Sequence, residues 1–212
     1  IENLPLKPYL FQKNGTLQFV YAGAMLPKAY QPLEEIFKAI AKNQTSFQNV
    51  EFHFIGTGSK PTDPESFNIK PLAEKYGIWK SIVHEYPKRI PYLDVLVHLK
   101  EADALFILGS TESHYTPSKT YQAVLSQKPI WAILNEKSSA AQILVTAKAA
   151  TVLTFDGEEG VKQLALNFES SFNDFVDFKV NYNPKQVDLE KFDAYSAKNV
   201  TQHLVNLLNK LS

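Results

Sequence analysis

The stretch Ala104–Leu108 reads ALFIL, and the stretch Pro129–Leu134 reads PIWAIL. Both runs are apolar without polar alternation, which is typical of strands in a parallel sheet that helices cover on both faces. A helix is predicted between them, from about Pro117 to Ser126. The three segments therefore predict part of a sheet with parallel strands.

The same alternation of strands and helices occurs about six times along the chain. Further strands are predicted at Leu17–Ala24, Val50–Ile55, Ser81–His84 and Ala150–Phe155. Further helices are predicted at Pro32–Lys42, Leu72–Tyr76, Tyr92–Lys100, Ser138–Ala147, Gly160–Phe172 and Leu189–Leu211. This order predicts an α/β fold, namely a doubly wound Rossmann-like parallel sheet with helices on both faces. The polar residues Glu51 and His53 suggest that the second strand lies toward the sheet edge.

The composition excludes several classes of function. The 212 residues are expected to form a single domain, residues 1–212. Lys plus Arg and Asp plus Glu each number 22, and this balance argues against a nucleic-acid binder and an electrostatic membrane anchor. The absence of cysteine excludes disulfides, Cys-ligated zinc and thiol catalysis. The histidines have no HxxxH spacing, so no metal site is expected.

The chain begins at Ile1 and its one methionine is Met25, so we expect a piece of a longer protein. No apolar run approaches the ~18 residues that a transmembrane segment needs. The expected location is cytoplasmic, with a peripheral membrane location as the alternative for the full-length protein.

Common nucleotide and hydrolase motifs are absent or incomplete. Gly56-Thr57-Gly58 starts like a dinucleotide fingerprint, but Pro61 stands at the third glycine position. No GxxxxGK[ST] sequence exists, and Gly109–Ser113 does not match the GxSxG elbow.

Doubly wound sheets bind ligands at the carboxyl ends of their strands. The loops at that edge are Gly23–Lys28, Gly56–Lys60, Glu85–Ile90, Gly109–Lys119 and Asn135–Ser139. In the fourth of these loops, Thr116 is predicted to cap a helix whose first residue is Pro117. The N–H groups of Ser118 and Lys119 and the Lys119 ammonium would then favour an anion. An ordinary helix start remains the simpler interpretation of the same residues.

Several of these segments together resemble the C-terminal domain of the GT-B glycosyltransferases, particularly the retaining, family 4-like group. The resemblance depends on the order and spacing of Phe19–Gly23 with Lys28, Phe54–Gly58, Ile90–Leu96, Ala102–Ala104, Ser110, Glu112, Pro117–Gln122 and Gln127–Ile130. It covers nearly the whole chain, although no single segment is specific.

The resemblance implies that this domain binds a nucleoside diphosphate sugar as the donor substrate, with no further cofactor and no metal. Gly23 and Ala24 would approach the diphosphate, and Lys28 and Lys119 would neutralise it. Glu112 would contact the transferred sugar.

The remaining site residues follow from the same resemblance. Pro117 and Ser118 would begin the donor-site helix, Gln122 would contact the ribose, and the segment Tyr86–Ile90, which includes Arg89, would border the base. Three residues depart from the family pattern. Ala24 replaces an arginine, Gln122 a glutamate and Gln127 a glycine.

The implied activity is transfer of a hexosyl-type sugar to a saccharide or lipid-linked acceptor, with polysaccharide biosynthesis as the expected setting. The acceptor would bind an N-terminal domain outside this chain, and Leu189–Leu211 would pack toward that domain. The isolated piece is expected to have little or no activity. Two alternatives stay open: half of a nucleotide-sugar epimerase, and a non-catalytic Rossmann-like module whose donor site has decayed.

Overall fold

The computed structural model describes residues 7–209. Its centre is a six-stranded sheet in the order β3-β2-β1-β4-β5-β6, and every pairing is parallel. The strands are β1 (Leu17–Ala22), β2 (Val50–Ile55), β3 (Val83–Tyr86), β4 (Ala104–Leu108), β5 (Ile130–Asn135) and β6 (Ala150–Phe155). This arrangement confirms the predicted doubly wound, Rossmann-like α/β fold.

Helices connect the strands and follow the last one. They are α1 (Tyr30–Lys42), α2 (Gln44–Phe47), α3 (Lys70–Lys75), α4 (Tyr92–Glu101), α5 (Lys119–Leu125), α6 (Ser139–Thr146), α7 (Gly157–Val161), α8 (Leu164–Val180), α9 (Leu189–Asp193) and α10 (Ala197–Leu208). Short 3-10 helices span Pro27–Ala29 and Pro184–Gln186. Among residues 7–209, no helix is long and apolar enough to cross a membrane.

The sheet separates two apolar layers. Phe19 of β1 and Trp131 of β5 face the first layer, where α1 and α8 cover the sheet. Val20 and Ile107 face the second layer, which α5 and α6 help to cover. Each of these four side chains is almost completely buried, and burial of one such side chain contributes about 1.5–3 kcal/mol to stability. Consecutive β1 residues therefore enter opposite layers, as a strand with two buried faces requires.

Several predicted boundaries need correction. The third strand is Val83–Tyr86 rather than Ser81–His84, so Glu85 and Tyr86 belong to the strand and not to the following loop. The predicted helix Gly160–Phe172 is replaced by α7 and α8.

The predicted helix Leu189–Leu211 is interrupted. It forms α9 and α10 instead, and residues 210 and 211 lie outside the described residues. Phe192 of α9 is buried, whereas Val200 and Leu204 of α10 are more than half exposed. The two parts of the predicted apolar face therefore have different environments.

Strand β2 lies toward the sheet edge, as predicted, with only β3 outside it. His53 is only 2% exposed, and the Phe11 ring stacks on it at a centroid distance of 4.6 Å. The residues that precede β1 cover this part of the sheet, so the polar His53 side chain is buried although β2 lies next to the edge strand.

Candidate functional site

The strand order reverses between β1 and β4. From this point one run of strands continues through β2 to β3, and the other continues through β5 to β6. The loops that leave β1 and β4 therefore diverge to opposite sides and leave a crevice at their carboxyl ends. Most of the predicted site residues lie in loops or at element ends along this edge, whereas Gln122 lies within α5 and Lys28 within the short 3-10 helix Pro27–Ala29.

Gly23 directly follows β1, at the centre of this edge. Its N–H donates to the Ile55 carbonyl over 2.8 Å, and its φ of +105° lies in the region that favours glycine. A Cβ atom at Gly23 would lie 4.0 Å from the Nζ atom of Lys119 and would have no nearer neighbour. Apart from this ammonium, no atom lies within 4 Å of that position, so the Gly23 turn is open beside Lys119.

The Lys119 ammonium lies over the first loop. Its Nζ atom is 3.5 Å from the centroid of the Tyr21 ring and donates to the Ala24 carbonyl over 3.3 Å. Burial lowers the pKa of Lys119 to about 7. Within residues 7–209 no carboxylate forms an ion pair with it. An anion placed beside Gly23 would supply the missing opposite charge.

Lys28 and Glu112 are paired with each other. Their charged atoms are 3.7 Å apart, and both side chains are partly exposed. The N–H of Thr111 also donates to the Lys28 carbonyl over 3.3 Å, which connects the loops after β1 and β4. Exposed ion pairs of this kind contribute about 0–1 kcal/mol, so a ligand can exchange partners with them at little cost.

The start of α5 differs from the prediction. The helix begins at Lys119, not at Pro117, and Ser118 precedes it without a side-chain cap. The Thr116 hydroxyl is hydrogen-bonded to the Ser139 hydroxyl, so Thr116 is not the cap. Pro117 is buried and Ser118 is exposed. Because α5 has only 7 residues, the Lys119 side chain is the stronger anion-binding feature here.

Arg89 and Ile90 lie beyond β2 on the same edge. The Arg89 Cγ atom is 3.6 Å from the position that a Cβ atom on Gly56 would take, and Gly56 lies beside Gly23. Arg89, Ile90 and Tyr86 line a groove of about 390 Å³. This volume is within the usual range of small-molecule sites.

Two of the departures from the family pattern have structural counterparts. The Gln122 amide donates to the Tyr92 hydroxyl over 3.4 Å, so it already has a neighbour on α4. Gln127 has a φ of +57°, a left-handed conformation in which glycine is favoured. The glycine of the family pattern would suit this position better than the glutamine does.

Two residues at this edge were missed from the sequence. Tyr21 supplies the ring beneath Lys119, and its alternation with Phe19 in β1 is the signal that places it on that strand face. Glu85 is 5% exposed and accepts hydrogen bonds from the N–H groups of Ile69 and Lys70, at 2.9 and 2.8 Å. It also accepts from the Thr57 hydroxyl over 2.8 Å, which holds the loop after β2. Nothing in the local pattern identified this carboxylate.

No protein-family model matches this chain, and no curated protein matches it. Solved structures do match. The α,α-trehalose 6-phosphate synthase of Burkholderia multivorans has a TM-score of 0.62 at 14% identity, over 93% of this chain and 43% of the synthase. A glycosyltransferase from Rickettsia africae has a TM-score of 0.62 at 10% identity, over 94% of this chain and 48% of that protein.

The HepE protein of Anabaena, solved in complex with UDP and glucose, has a TM-score of 0.62 at 14% identity, over 92% of this chain and 49% of HepE. The chain has the fold of a GT-B glycosyltransferase domain. These identities establish the fold alone. The GT-B-like domain spans less than half the length of each of these solved structures.

Proposed function

We propose that this chain is the donor-binding domain of a glycosyltransferase and binds a nucleoside diphosphate sugar. The observation that carries the proposal is the Lys119 ammonium, which has no carboxylate partner within residues 7–209 and faces the open space at Gly23. A diphosphate at that point would meet a cation, a chain turn without a side chain and the crevice at the strand reversal. HepE, whose fold is similar, was solved with UDP and glucose.

The chemistry proposed is departure of the nucleoside diphosphate from the anomeric carbon as an acceptor hydroxyl attacks it. Negative charge develops on the phosphate oxygens of the leaving group. Lys119 and Lys28 would stabilise that charge more in the transition state than in the ground state, which lowers the barrier. Glu112 would contact the transferred sugar. In this proposal the reaction retains the anomeric configuration and needs no divalent metal.

Residues 1–212 are proposed to be one half of a two-domain enzyme. The solved structures that share the fold are about twice as long, and the larger apolar side chains of α10 are exposed, namely Val200, Leu204, Val205, Leu207 and Leu208. We propose that α10 packs toward an N-terminal domain that binds a saccharide or lipid-linked acceptor. The isolated domain would then bind the donor but transfer little sugar.

Calorimetry with UDP, GDP and ADP tests the donor site. We expect binding of at least one of them, weakened about tenfold or more in Lys119→Ala. Lys42→Ala is the matched control. Lys42 is an exposed lysine at the C-terminal end of α1, and the chain returns from there to the opposite edge of the sheet, away from the candidate site. No binding at millimolar concentration, or equal affinity for the Lys119 and Lys42 variants, would refute the site.

The second candidate is a module without catalysis. It is favoured by the Gln122 amide, which is engaged with Tyr92, and by Ala24, which offers no charged side chain. Assays of the full-length protein for sugar transfer, epimerisation and nucleotide-sugar hydrolysis separate this candidate and the epimerase alternative from a transferase.

A further inference from the structure

The main chain of Tyr9 and Leu10, called the strap below, is held by one buried histidine. The N–H groups of Tyr9 and Leu10 both donate to the Nε2 atom of His98, at 3.2 and 3.3 Å. The Nδ1 atom of His98 lies 2.7 Å from the Asp94 carbonyl oxygen. A neutral imidazole with its proton on Nδ1 satisfies all three contacts. His98 is completely buried on α4, so its position is set by the core.

The side chains on either side of the strap add further anchors. The Tyr9 hydroxyl donates to the Asp94 carboxylate over 3.0 Å, and the Tyr9 ring meets the His98 ring edge-on at a centroid distance of 4.9 Å. The Phe11 ring that follows stacks on His53. The strap is therefore attached to both α4 and β2.

The strap also forms part of the groove that contains Arg89 and Ile90. Tyr9 and Leu10 line this groove together with Phe67, Pro87 and Pro91, so its surface is mainly apolar and aromatic. Tyr9 is 58% exposed, although its hydroxyl and one ring edge are already in contact with α4. Its orientation is thus fixed while most of the ring stays accessible.

We propose that the strap is one wall of a nucleobase subsite, with Tyr9 in contact with the base and His98 as the residue that positions the strap. This inference rests on the proposed donor site. The groove follows Arg89, which lies next to Gly56 and Gly23, so a nucleotide whose diphosphate lies at Lys119 can extend its base toward Tyr9. A flat aromatic base stacks well on a tyrosine ring that is already held in place.

The test compares UDP, GDP and ADP with inorganic pyrophosphate, using calorimetry on the 212-residue chain. Pyrophosphate contains the anion without a base, so it reports on the proposed phosphate site and not on a base subsite. We expect Tyr9→Ala to weaken binding of the preferred nucleotide roughly 5- to 100-fold, the effect of losing one stacked base, and to leave pyrophosphate unchanged. Tyr195→Ala, which removes another exposed tyrosine at the end of α9, is the matched control and should change neither affinity.

His98 needs a separate pair of variants because it is buried. His98→Leu removes the acceptor and is expected to weaken nucleotide binding but not pyrophosphate binding. His98→Gln keeps an oxygen acceptor and should restore part of the nucleotide affinity. A purely structural role would instead change both ligands together.

The outcomes distinguish the two proposals. If Tyr9→Ala leaves nucleotide affinity unchanged, or weakens nucleotide and pyrophosphate equally, the base subsite is refuted while the phosphate site stands. If the unmodified chain binds pyrophosphate and nucleotides with the same affinity, the base subsite is also refuted. If it binds none of these ligands, the donor site itself fails, and the subsite fails with it.

Discussion

The Nζ atom of Lys119 lies 3.5 Å from the centroid of the Tyr21 ring, and it bonds to a carbonyl 95 positions earlier in the chain. Burial lowers the pKa of Lys119 from 10.5 to about 7. A bound diphosphate favours the charged form and so raises this pKa. The complex then holds more protons than the free protein above pH 7, and affinity must fall as the pH rises.

The dissociation constant for UDP is therefore expected to increase by up to about tenfold per pH unit between pH 7.5 and 9, because one proton is taken up on binding. Calorimetry over this range measures the effect. Lys119→Arg is the control, since arginine stays charged throughout and should give a flat profile. Equal slopes in both proteins would show that Lys119 is not the titrating group.

Gly23→Ala is expected to reduce stability by about 1–3 kcal/mol, because alanine is strained at a φ of +105°. It is also expected to weaken pyrophosphate binding, since the new methyl group would lie beside the Lys119 ammonium. Gly77→Ala separates the two effects: Gly77 has a φ of +67° but an added Cβ would have no neighbour within 4 Å. Urea unfolding should show reduced stability in both variants. Pyrophosphate titration should show weaker binding only in Gly23→Ala.

Glu85→Gln is expected to destabilise the protein by about 2–4 kcal/mol, because an amide cannot replace both acceptor oxygens of a buried carboxylate. Hydrogen exchange should increase first at Ile69 and Lys70, whose N–H groups lose their acceptor. The exposed Glu65→Gln is the control and should change stability by less than about 0.5 kcal/mol. If Glu85→Gln lowers stability but these two amides exchange only when the whole protein unfolds, this role of Glu85 is contradicted.

The pH dependence of stability tests the environment of His53. Burial, then His84 and His98 nearby, lowers the pKa of His53 from 6.5 to about 3. Glu51 and Tyr86 also face this ring. The unfolded chain binds the proton first, so the stability contribution is complete above pH 6.5 and is lost as the pH falls toward 3, by about 1.4 kcal/mol per pH unit.

Urea unfolding between pH 7 and 4.5 measures this slope. His53→Phe should lower this slope by about 1.4 kcal/mol per pH unit, the contribution of one proton, because phenylalanine keeps the stack on Phe11 without titrating. Phe11→Leu should lower stability at every pH and retain the slope. If His53→Phe and the unmodified protein have the same slope, the assignment of the proton to His53 is wrong.

Much of the fold was predictable because its signals are local. The ALFIL run of β4 and the alternating VEFHFI run of β2 have the predicted bounds, since apolar composition and glycine or proline at the ends act within a few residues. The third strand was shifted because Glu85 and Tyr86 look like loop residues. In the structure Glu85 is buried in a strand, where loop N–H groups from a distant segment satisfy it.

The candidate site was predictable only as a set of loops. Their position at one edge of the sheet follows from the parallel order of strands, and the resemblance selected residues within them. The contact of Lys28 with Glu112, the engagement of Gln122 with Tyr92 and the true start of α5 at Lys119 were not predictable. Each depends on how neighbouring elements pack, and residue spacing carries no information about that.

The sequence by itself determined that this chain builds a doubly wound sheet. Its apolar strands alternate with helices along the chain, and such strands are buried on both faces when layers of helices cover the sheet. Only the tertiary structure decided that Lys119 lies over Tyr21, that it faces open space at Gly23 and that His98 holds the strap at Tyr9. The reason is physical. Strand order brings segments far apart in sequence to one edge, and the environment of an ionisable side chain is set there.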